Sequence, residues 1–341
     1  MKKILLRALL LILTLTLIIV PLAACNNKTE DDTPVTTSIA EPDSDLEIKI
    51  YLLNGTTALG ASKLIVDTKA KNVDMNYQIE TFASADQITG AIVSGECAIA
   101  ALPTNAAANL YKKSGGKIQL LAINTLGVLY LLDNGEGVTD FESLKGKTIY
   151  LPGAGSNPEF ITAALLEANG LTSDDVTLDT TTYPSPDALA TAVTAGEAKL
   201  AVLPEPKVTV VCSGNADVKV AMDFTAEWEK VYGENTLAQG CLVVNAEFAK
   251  EHPTELKKFL EDYKASVEYI AAASDDAINA IVEAGILPKA PIAKKALPNC
   301  NICFIEGSAM KDAISVFYEK LYASNNKAIA AIPDDAFYFV G

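Results

Sequence analysis

The stretch SGECAIAALPTN, residues 94–105, is nearly repeated as AGEAKLAVLPEP, residues 195–206. Each copy places a Gly-Glu pair before an apolar run, and a Leu-Pro pair closes that run. A short, wholly apolar run is typical of a strand buried inside a parallel sheet, and proline ends it because proline has no N–H to give to a neighbouring strand. The two copies therefore predict two buried parallel strands, each preceded by a helix that ends at glycine.

The similarity between the copies extends upstream without a gap. Residues 76–96, NYQIETFASADQITGAIVSGE, align with residues 177–197, TLDTTTYPSPDALATAVTAGE, at an offset of 177 − 76 = 101 residues. Further upstream, IYLLNG at residues 50–55 resembles IYLPG at residues 149–153. Solenoid repeats are about 20–50 residues long, so this longer repeat indicates a duplicated domain core.

Hydrophobic periodicity predicts the same order of elements in both copies. A strand, a helix and a second strand come first, and a further helix opened by SAD or SPD then leads to the apolar strand. The Ser and Asp side chains of these openings can cap free helix N–H groups. Strand–helix–strand–helix–strand is a βαβαβ unit, which forms a right-handed parallel sheet covered by helices. The sequence therefore predicts an α/β protein with two such lobes.

The remaining C-terminal sequence predicts a hinge between the lobes. GCLVVNAEFAKEHP, residues 240–253, predicts one more strand, and the chain after it reads as mostly helical. A helical tail of this size covers lobe 1 most economically, so the chain crosses between the lobes twice, near residues 124–127 and 240–243. The expected organisation is a signal peptide at 1–24, a tether at 25–45, lobe 1 at 46–126 plus 244–341, and lobe 2 at 127–243.

The N-terminus has the pattern of a secretory signal. Lys2, Lys3 and Arg7 precede an apolar run at residues 8–20, and LAAC follows at residues 22–25. The last four residues look like a bacterial lipobox, in which Cys25 is lipidated and becomes the mature N-terminus. The alternative is an uncleaved transmembrane anchor, because the run is nearly long enough to span a bilayer.

The chain beyond Cys25 is expected to be tethered outside the cell membrane. Residues 26–45, NNKTEDDTPVTTSIAEPDSD, are polar and acidic, which favours a flexible segment. Removing residues 1–24 takes away three positive charges, so the net charge falls from −16 to −16 − 3 = −19. An acidic chain repels phosphate backbones, so nucleic acid is not an expected partner. The only arginine of the sequence, Arg7, leaves with the signal peptide.

The cysteines and the single histidine do not predict a metal site. CNIC at residues 300–303 has the spacing of a redox motif or a zinc knuckle, but no second Cys/His pair completes a metal site. An odd number of scattered thiols favours buried, reduced cysteines over a disulfide framework. The cysteines besides Cys25 are Cys97, Cys212, Cys241, Cys300 and Cys303.

These features together resemble a known family, the substrate-binding lipoproteins of ABC importers with the type II periplasmic binding protein fold. The stretches VSGECAIAALPTNAAANLYKK, DFESLKGKTIYLPG, LAVLPEPKVT and GCLVVNAEFAKEHPTELKKFLEDY resemble the branch that includes nitrate, sulfonate, taurine and thiamine-precursor binders. The resemblance covers residue 46 to the C-terminus. It implies a monomer that binds a small molecule between its lobes and hands it to a permease with its ATPase, without a cofactor.

The fold predicts where the ligand binds. Ligands of open α/β sheets lie outside the carboxyl ends of the strands, and two facing lobes bring both sets of strand ends into one cleft. Any one polar residue there is also explained by ordinary capping or turn chemistry. The candidate ligand-binding residues at the strand ends and near the hinge are Asn54, Gly55, Thr56, Ser84, Thr104, Asn105, Asn124, Thr125, Gly155, Ser156, Asn157, Tyr183, Ser185, Glu205 and Gln239.

The chemistry of this cleft favours a nitrogen-bearing ligand such as an aminopyrimidine or an amine. The mature chain has no arginine to clamp a carboxylate, although an anion could still bind free N–H groups near residues 55–57 or 155–157. Glu205 stands where the first copy has Thr104, and a carboxylate there attracts an N–H donor or a cation. Tyr183 offers a ring for stacking. A nitrate- or sulfonate-type anion, and a Glu205 that only caps its helix, stay open.

An enzyme on the same fold is the alternative from another class, because some relatives convert small metabolites. General acid–base catalysis needs a positioned histidine or a pair of carboxylates. His252, in KEHPTE, lies outside the predicted cleft. No catalytic residue and no metal are therefore expected, and a ligand-free structural or adhesive lipoprotein is the remaining alternative.

Overall fold

The computed structural model describes residues 41–324 and 328–340, which form eleven strands and thirteen α-helices. The predicted signal peptide, the lipobox and most of the predicted tether lie outside the described residues. The strands are β1 (Glu47–Leu53), β2 (Asn76–Phe82), β3 (Ile99–Pro103), β4 (Ile118–Thr125), β5 (Leu129–Asp133), β6 (Thr148–Tyr150), β7 (Thr177–Asp179), β8 (Leu200–Pro204), β9 (Lys219–Asp223), β10 (Gly240–Asn245) and β11 (Ile302–Glu306). The helices are α1 (Thr56–Leu59), α2 (Ser62–Ala70), α3 (Asp86–Ser94), α4 (Thr104–Ser114), α5 (Asn157–Ala168), α6 (Pro186–Ala195), α7 (Lys207–Gly214), α8 (Phe224–Tyr232), α9 (Ala246–Glu251), α10 (Pro253–Ala271), α11 (Asp275–Glu283), α12 (Ala290–Ala296) and α13 (Gly307–Ser324).

The strands form two sheets, one of six and one of five strands, that share the spatial arrangement of five strands. The first sheet has the order β11-β4-β10-β3-β1-β2, and the second has the order β7-β6-β8-β5-β9. In the first sheet β1, β2 and β3 run parallel, and in the second β6, β7 and β8 do the same. One antiparallel strand, β10 or β5, then lies beside the third parallel strand. The duplicated sequence thus corresponds to two equivalent sheets, and we call each sheet with its helices a lobe, the first being lobe 1.

The opening motif forms the centre of each sheet. Residues 99–102 in β3 and residues 200–203 in β8 are buried almost completely. Both strands end at the proline of the Leu-Pro pair, where a helix follows in lobe 1 and a short turn precedes one in lobe 2. As predicted, each apolar run forms a buried strand and the proline ends it.

The chain changes sheet at the antiparallel strands. Residues 126–128 connect β4 to β5, and the return from lobe 2 enters lobe 1 at Gly240. A Cβ atom on Gly240 would lie 2.7 Å from Thr57 Cγ2 and 2.8 Å from Asn124 Oδ1, so a side chain does not fit without a shift. The division into lobes stays our proposal, and the pairing of β10 favours a second boundary at Gly240 over one after residue 243.

The C-terminal tail packs on lobe 1 and also contacts lobe 2. Helices α10 and α11 pack against α2, and β11 pairs with β4 at the edge of the first sheet. Helix α13 contacts both lobes: the Tyr318 hydroxyl donates to the Thr104 carbonyl oxygen at 2.8 Å, and the Phe317 ring centroid lies 5.5 Å from that of Trp228. The three aromatic side chains are buried, so α13 joins the lobes through packed apolar surface.

Candidate functional site

The carboxyl ends of the parallel strands in the two lobes lie against each other. Asn105 follows β3 in lobe 1, and its Nδ2 donates to the carbonyl oxygen of Gly155, which follows β6 in lobe 2, at 3.5 Å. Asn157, in the first turn of α5, donates from Nδ2 to the Gln239 carbonyl oxygen at 3.4 Å. The structure thus brings residues from three predicted places together: a strand end of each lobe and the hinge.

Gln239 joins the two crossings of the chain. Its backbone N–H donates to the Thr125 carbonyl oxygen at 3.0 Å, and its side-chain Oε1 accepts from the Val128 N–H at 2.7 Å. Its carbonyl oxygen accepts from the Thr104 N–H at 3.2 Å as well as from Asn157. A single buried residue therefore connects the first crossing, the end of β3 and the start of α5.

Three further predicted residues hold the hinge with side chains that already have partners. The Thr104 hydroxyl donates to the Ala238 carbonyl oxygen at 2.7 Å, and Asn124 Nδ2 donates to the Tyr263 hydroxyl at 3.0 Å. The Thr125 hydroxyl donates to Asn124 Oδ1 at 3.1 Å. Because all three predicted residues are buried and bonded, they position the cleft rather than offering free groups to it.

The two helices that begin at this cluster, α4 and α5, lack the side-chain caps that α6 and α8 have. No residue at the N-cap of α4 or α5 accepts a hydrogen bond with its side chain. In contrast, Ser185 caps α6 and Asp223 caps α8. An N-cap side chain therefore does not satisfy these helix N-termini: the first N–H of α4 bonds to the Gln239 carbonyl oxygen, and the positive end of each helix dipole attracts a negatively charged group.

The first turn of α5 also contains a carboxylate that the sequence analysis did not identify. Ser156 to Glu159 has the spacing of a capping box, which would exchange hydrogen bonds between these two residues. Instead, the Ser156 hydroxyl donates to the Gly153 carbonyl oxygen at 2.9 Å, and Glu159 Oε2 accepts from the Gly155 N–H at 2.6 Å. The S-x-x-E spacing is the only sign of Glu159 in the sequence, and it predicts a capping box rather than a bond to Gly155.

Asn157 leaves one acceptor of this cluster without a donor. The residue is 6 % exposed, and its Oδ1 has no hydrogen-bond partner among the described residues. Buried polar atoms are almost always hydrogen-bonded, so an unpaired one indicates a missing partner. Among the predicted residues, Asn157 is therefore the one whose free acceptor most directly indicates a ligand.

Glu205 lies in a different environment from the cluster. It is 2 % exposed, and its carboxylate accepts from the Thr209 N–H at 3.1 Å and from the Thr209 hydroxyl at 2.9 Å. Burial raises the pKa of Glu205, against the lowering effect of these hydrogen bonds. This is the geometry of a residue that caps the first turn of α7, so a ligand contact by Glu205 stays a prediction.

The remaining predicted residues lie at strand ends, outside the hydrogen-bonded cluster. Ser84 is exposed and accepts from the Asp86 N–H at 3.3 Å. Tyr183 packs edge-on against Tyr150 with ring centroids 5.3 Å apart. The others take part in local structure at the starts of α1 and α6: Asn54, Gly55, Thr56 and Ser185.

Comparison with known proteins identifies the architecture. Residues 111–277 match the family described as NMT1/THI5 like, and no curated protein matches the chain. An ABC transporter structure from Parabacteroides distasonis is similar at 24 % identity and a TM-score of 0.72, covering 87 % of this chain and 99 % of that one. The periplasmic aliphatic sulphonate binding protein SsuA from Escherichia coli is similar at 13 % identity and 0.66, covering 86 % and 92 %. The chain has a periplasmic binding protein fold, and its residues 111–277 resemble the NMT1/THI5-like family.

A third similar structure belongs to the same group. It is the putative periplasmic sulfonate-binding protein SsuA from Methylobacillus flagellatus KT, with 16 % identity, a TM-score of 0.64, and coverage of 87 % of this chain and 92 % of that one. The resemblance to ABC transporter binding proteins and the fold class predicted from the sequence are thereby confirmed.

Two surface cavities lie away from the facing strand ends. One of 460 Å³ in lobe 2 is lined by residues that include Phe141, Met222 and Glu227. Another of 280 Å³ in lobe 1 is lined by residues that include Lys63 and Tyr269. At the strand ends themselves, Asn105 and Gly155 are in direct contact.

Thiols and the histidine lie outside the cluster. His252 Nδ1 is 4.0 Å from Glu255 Oε2 on lobe 1, and burial raises the pKa of Cys303 to about 12. The five cysteines of the described residues are free thiols, and no group of His, Cys, Asp and Glu among those residues is arranged to hold a metal ion. In residues 41–324 and 328–340, no helix is both long and apolar enough to cross a membrane.

Proposed function

We propose that this protein is the solute-binding component of an ABC importer, which captures a small polar ligand between its two lobes and delivers it to a permease. The observation that carries the proposal is the hydrogen bond from Asn105 to Gly155, which joins the strand ends of the two lobes beside two uncapped helix N-termini. The solved structures of similar fold, an ABC transporter and two sulfonate-binding proteins, support it.

Ligand binding would act on the equilibrium between open and closed lobes. Groups from both lobes surround the ligand only when the lobes are closed, so binding favours the closed state. Gln239 would remain bonded to both crossings during this motion because it lies at the hinge itself. Asn105 and Asn157 would face the ligand from opposite lobes.

We propose that the ligand is a nitrogen-bearing compound, such as an aminopyrimidine or an amine. The unpaired Oδ1 of Asn157 supports it, because that atom accepts a hydrogen bond and an N–H group supplies one. A nitrate- or sulfonate-type anion is the second candidate, favoured by the N-terminus of α4, which has no side-chain cap. The proposed contact with Glu205 is less direct, since Thr209 already occupies that carboxylate.

The proposed location is outside the cell membrane, with Cys25 carrying the lipid anchor. Its support comes from the sequence of residues 1–45, most of which lies outside the described residues. The protein would act there as a monomer. We further propose that it carries its ligand unchanged, because His252 lies on lobe 1 away from the cluster.

The function is tested with the small molecules that co-purify with the mature protein. Native mass spectrometry should show a bound compound of small mass, and small-angle scattering should show a smaller radius of gyration with it than without it. Chemical conversion of the compound during incubation would favour the enzyme alternative. No change in radius at saturation would contradict binding between the lobes.

A further inference from the structure

The N-terminus of α5 already carries an anionic group from the chain itself. Glu159 Oε2 accepts from the Gly155 N–H at 2.6 Å, so a carboxylate occupies the position that an anionic ligand would take on this N–H. The carbonyl oxygen of Gly155 meanwhile accepts from Asn105 of the opposite lobe. Glu159 is thus bonded to the residue through which the two lobes touch.

The first residue of α5 carries a second acceptor. Asn157 Oδ1 is buried and has no donor among the described residues, while the Nδ2 atom of the same amide faces the Gln239 carbonyl oxygen. A buried acceptor without a donor is unfavourable, and an N–H group of a ligand would satisfy it. A carboxylate and an unpaired amide oxygen therefore lie two residues apart on one helical turn.

We propose that Glu159 determines the charge of the ligand. Its carboxylate on the Gly155 N–H excludes an anionic group from the α5 N-terminus and accepts a hydrogen bond from a ligand N–H group. This inference rests on the proposed function, because it requires a ligand between the lobes. A sulfonate or nitrate would have to displace Glu159 and remain close to its negative charge, whereas an amine gains a charge-assisted hydrogen bond.

An ordinary capping role for Glu159 predicts a different result. A carboxylate that only stabilises the N-terminus of α5 contributes to stability and leaves the choice of ligand unchanged. The ratio of affinities for a nitrogen-bearing probe and an anionic probe therefore separates the two roles. Glu167, which is exposed near the other end of α5, provides a matched control with the same change in charge.

The experiment measures the binding of 4-aminopyrimidine and of methanesulfonate to the wild type, Glu159→Gln and Glu167→Gln by calorimetry. We expect the wild type to prefer 4-aminopyrimidine. In Glu159→Gln, the ratio of the two affinities should shift towards methanesulfonate by about 30-fold or more, the size expected for the loss of a charged contact. Glu167→Gln should keep the wild-type ratio.

Three results overturn the role of Glu159: a wild type that prefers methanesulfonate, an unchanged ratio in Glu159→Gln, or binding of neither probe. Native mass spectrometry on the same samples separates this failure from that of the function. If a co-purified compound closes the lobes but the ratio of the two probe affinities is unchanged in Glu159→Gln, only the proposed role of Glu159 is refuted. Absence of any bound small molecule from the wild type removes the proposed function itself.

Discussion

The hydroxyl group of Tyr318, on the last helix, donates a hydrogen bond to the carbonyl oxygen of Thr104, the first residue of α4. Both side chains are fully buried. The C-terminal helix is therefore bonded directly to the strand end that begins the candidate site. Through Phe317 and Trp228 the same helix also packs on lobe 2, so its packing bears on both the stability of the chain and the relative position of the lobes.

The packing of α13 predicts a large effect of Phe317→Ala. The side chain is fully buried, and truncating a buried phenylalanine lowers the free energy of unfolding by about 3–5 kcal/mol. Tyr322 on the same helix is 42 % exposed, so Tyr322→Ala should change it by no more than about 0.5 kcal/mol. Denaturant titration of both variants provides the measurement, and equal losses would show that α13 does not join the lobes as described.

The contact between the lobes predicts a weaker closed state in Asn105→Ala. Losing one hydrogen bond of about 1 kcal/mol, together with a group that faces the ligand, should raise the dissociation constant about 5- to 10-fold. The radius of gyration without ligand should increase. Asn72→Ala, at an exposed position of lobe 1, is the control and should leave both quantities unchanged. An Asn105→Ala protein with wild-type affinity would argue against a ligand at this contact.

Two glycines of lobe 1 predict changes of opposite sign. Gly240→Ala should lower the free energy of unfolding by about 1–3 kcal/mol, because the new Cβ would overlap Thr57 and Asn124 at the hinge. Gly90 lies inside α3 with nothing within 4 Å of a new Cβ, so Gly90→Ala should raise it by about 0.5–1 kcal/mol. Thermal melts of both variants test this: a higher melting temperature for Gly240→Ala would contradict the crowding at Gly240, and a lower one for Gly90→Ala would contradict the open space at Gly90.

The raised pKa of Glu205 predicts a pH-dependent stability. Because the folded state binds the proton more tightly than the unfolded state, the wild type should lose stability as the pH rises through the raised pKa. Glu205→Gln stays neutral, so its melting temperature relative to the wild type should increase from acidic to neutral pH. Glu197→Gln, which removes the same charge at an exposed position, is the matched control. Calorimetry with ligand then shows whether Glu205 contacts the ligand, and an unchanged dissociation constant would leave Glu205 with a structural role only.

The lipobox predicts the state of the mature N-terminus. The intact mass of protein extracted from membranes should correspond to a chain that begins at lipidated Cys25. Cys25→Ala removes the sulfur that carries the lipid, so the variant should appear in the soluble fraction or retain its signal peptide. A variant that stays membrane-bound with the same mass as the wild type would exclude lipidation at Cys25.

The duplicated core was predictable because its signals are local and occur twice. The apolar runs of β3 and β8 with their Leu-Pro ends fix two buried strands, and the shared offset shows that they are equivalent. β11 was missed for the opposite reason. Its residues, 302–306, are only partly buried, and they pair with β4 through shifts in register at the edge of the sheet. In the sequence the strand begins inside CNIC, a motif whose cysteine spacing indicates a redox or zinc site rather than a strand.

The sequence predicts which strand ends form the candidate site, but it does not predict the directions of the side chains there. The fold rule nominates Asn105, Gly155 and Asn157 because position at a strand end depends only on topology, and in the structure they form hydrogen bonds there; that they bind a ligand stays a prediction. The direction of a carboxylate depends on the turn that carries it. The Glu205 carboxylate accepts from the N–H of Thr209, four residues later, whereas the Glu159 carboxylate accepts from the N–H of Gly155, four residues earlier and outside α5. Residue spacing in the sequence does not predict either hydrogen bond.

The central position of β10 has a consequence for how the chain is made. This strand pairs with β3 on one side and β4 on the other, yet it is synthesised after every strand of lobe 2. A nascent chain can therefore complete the sheet of lobe 2 from contiguous residues while the sheet of lobe 1 still has a gap in its middle. Until residues 240–245 arrive, β3 and β4 each present an unpaired edge, so the first lobe in sequence is the last to close.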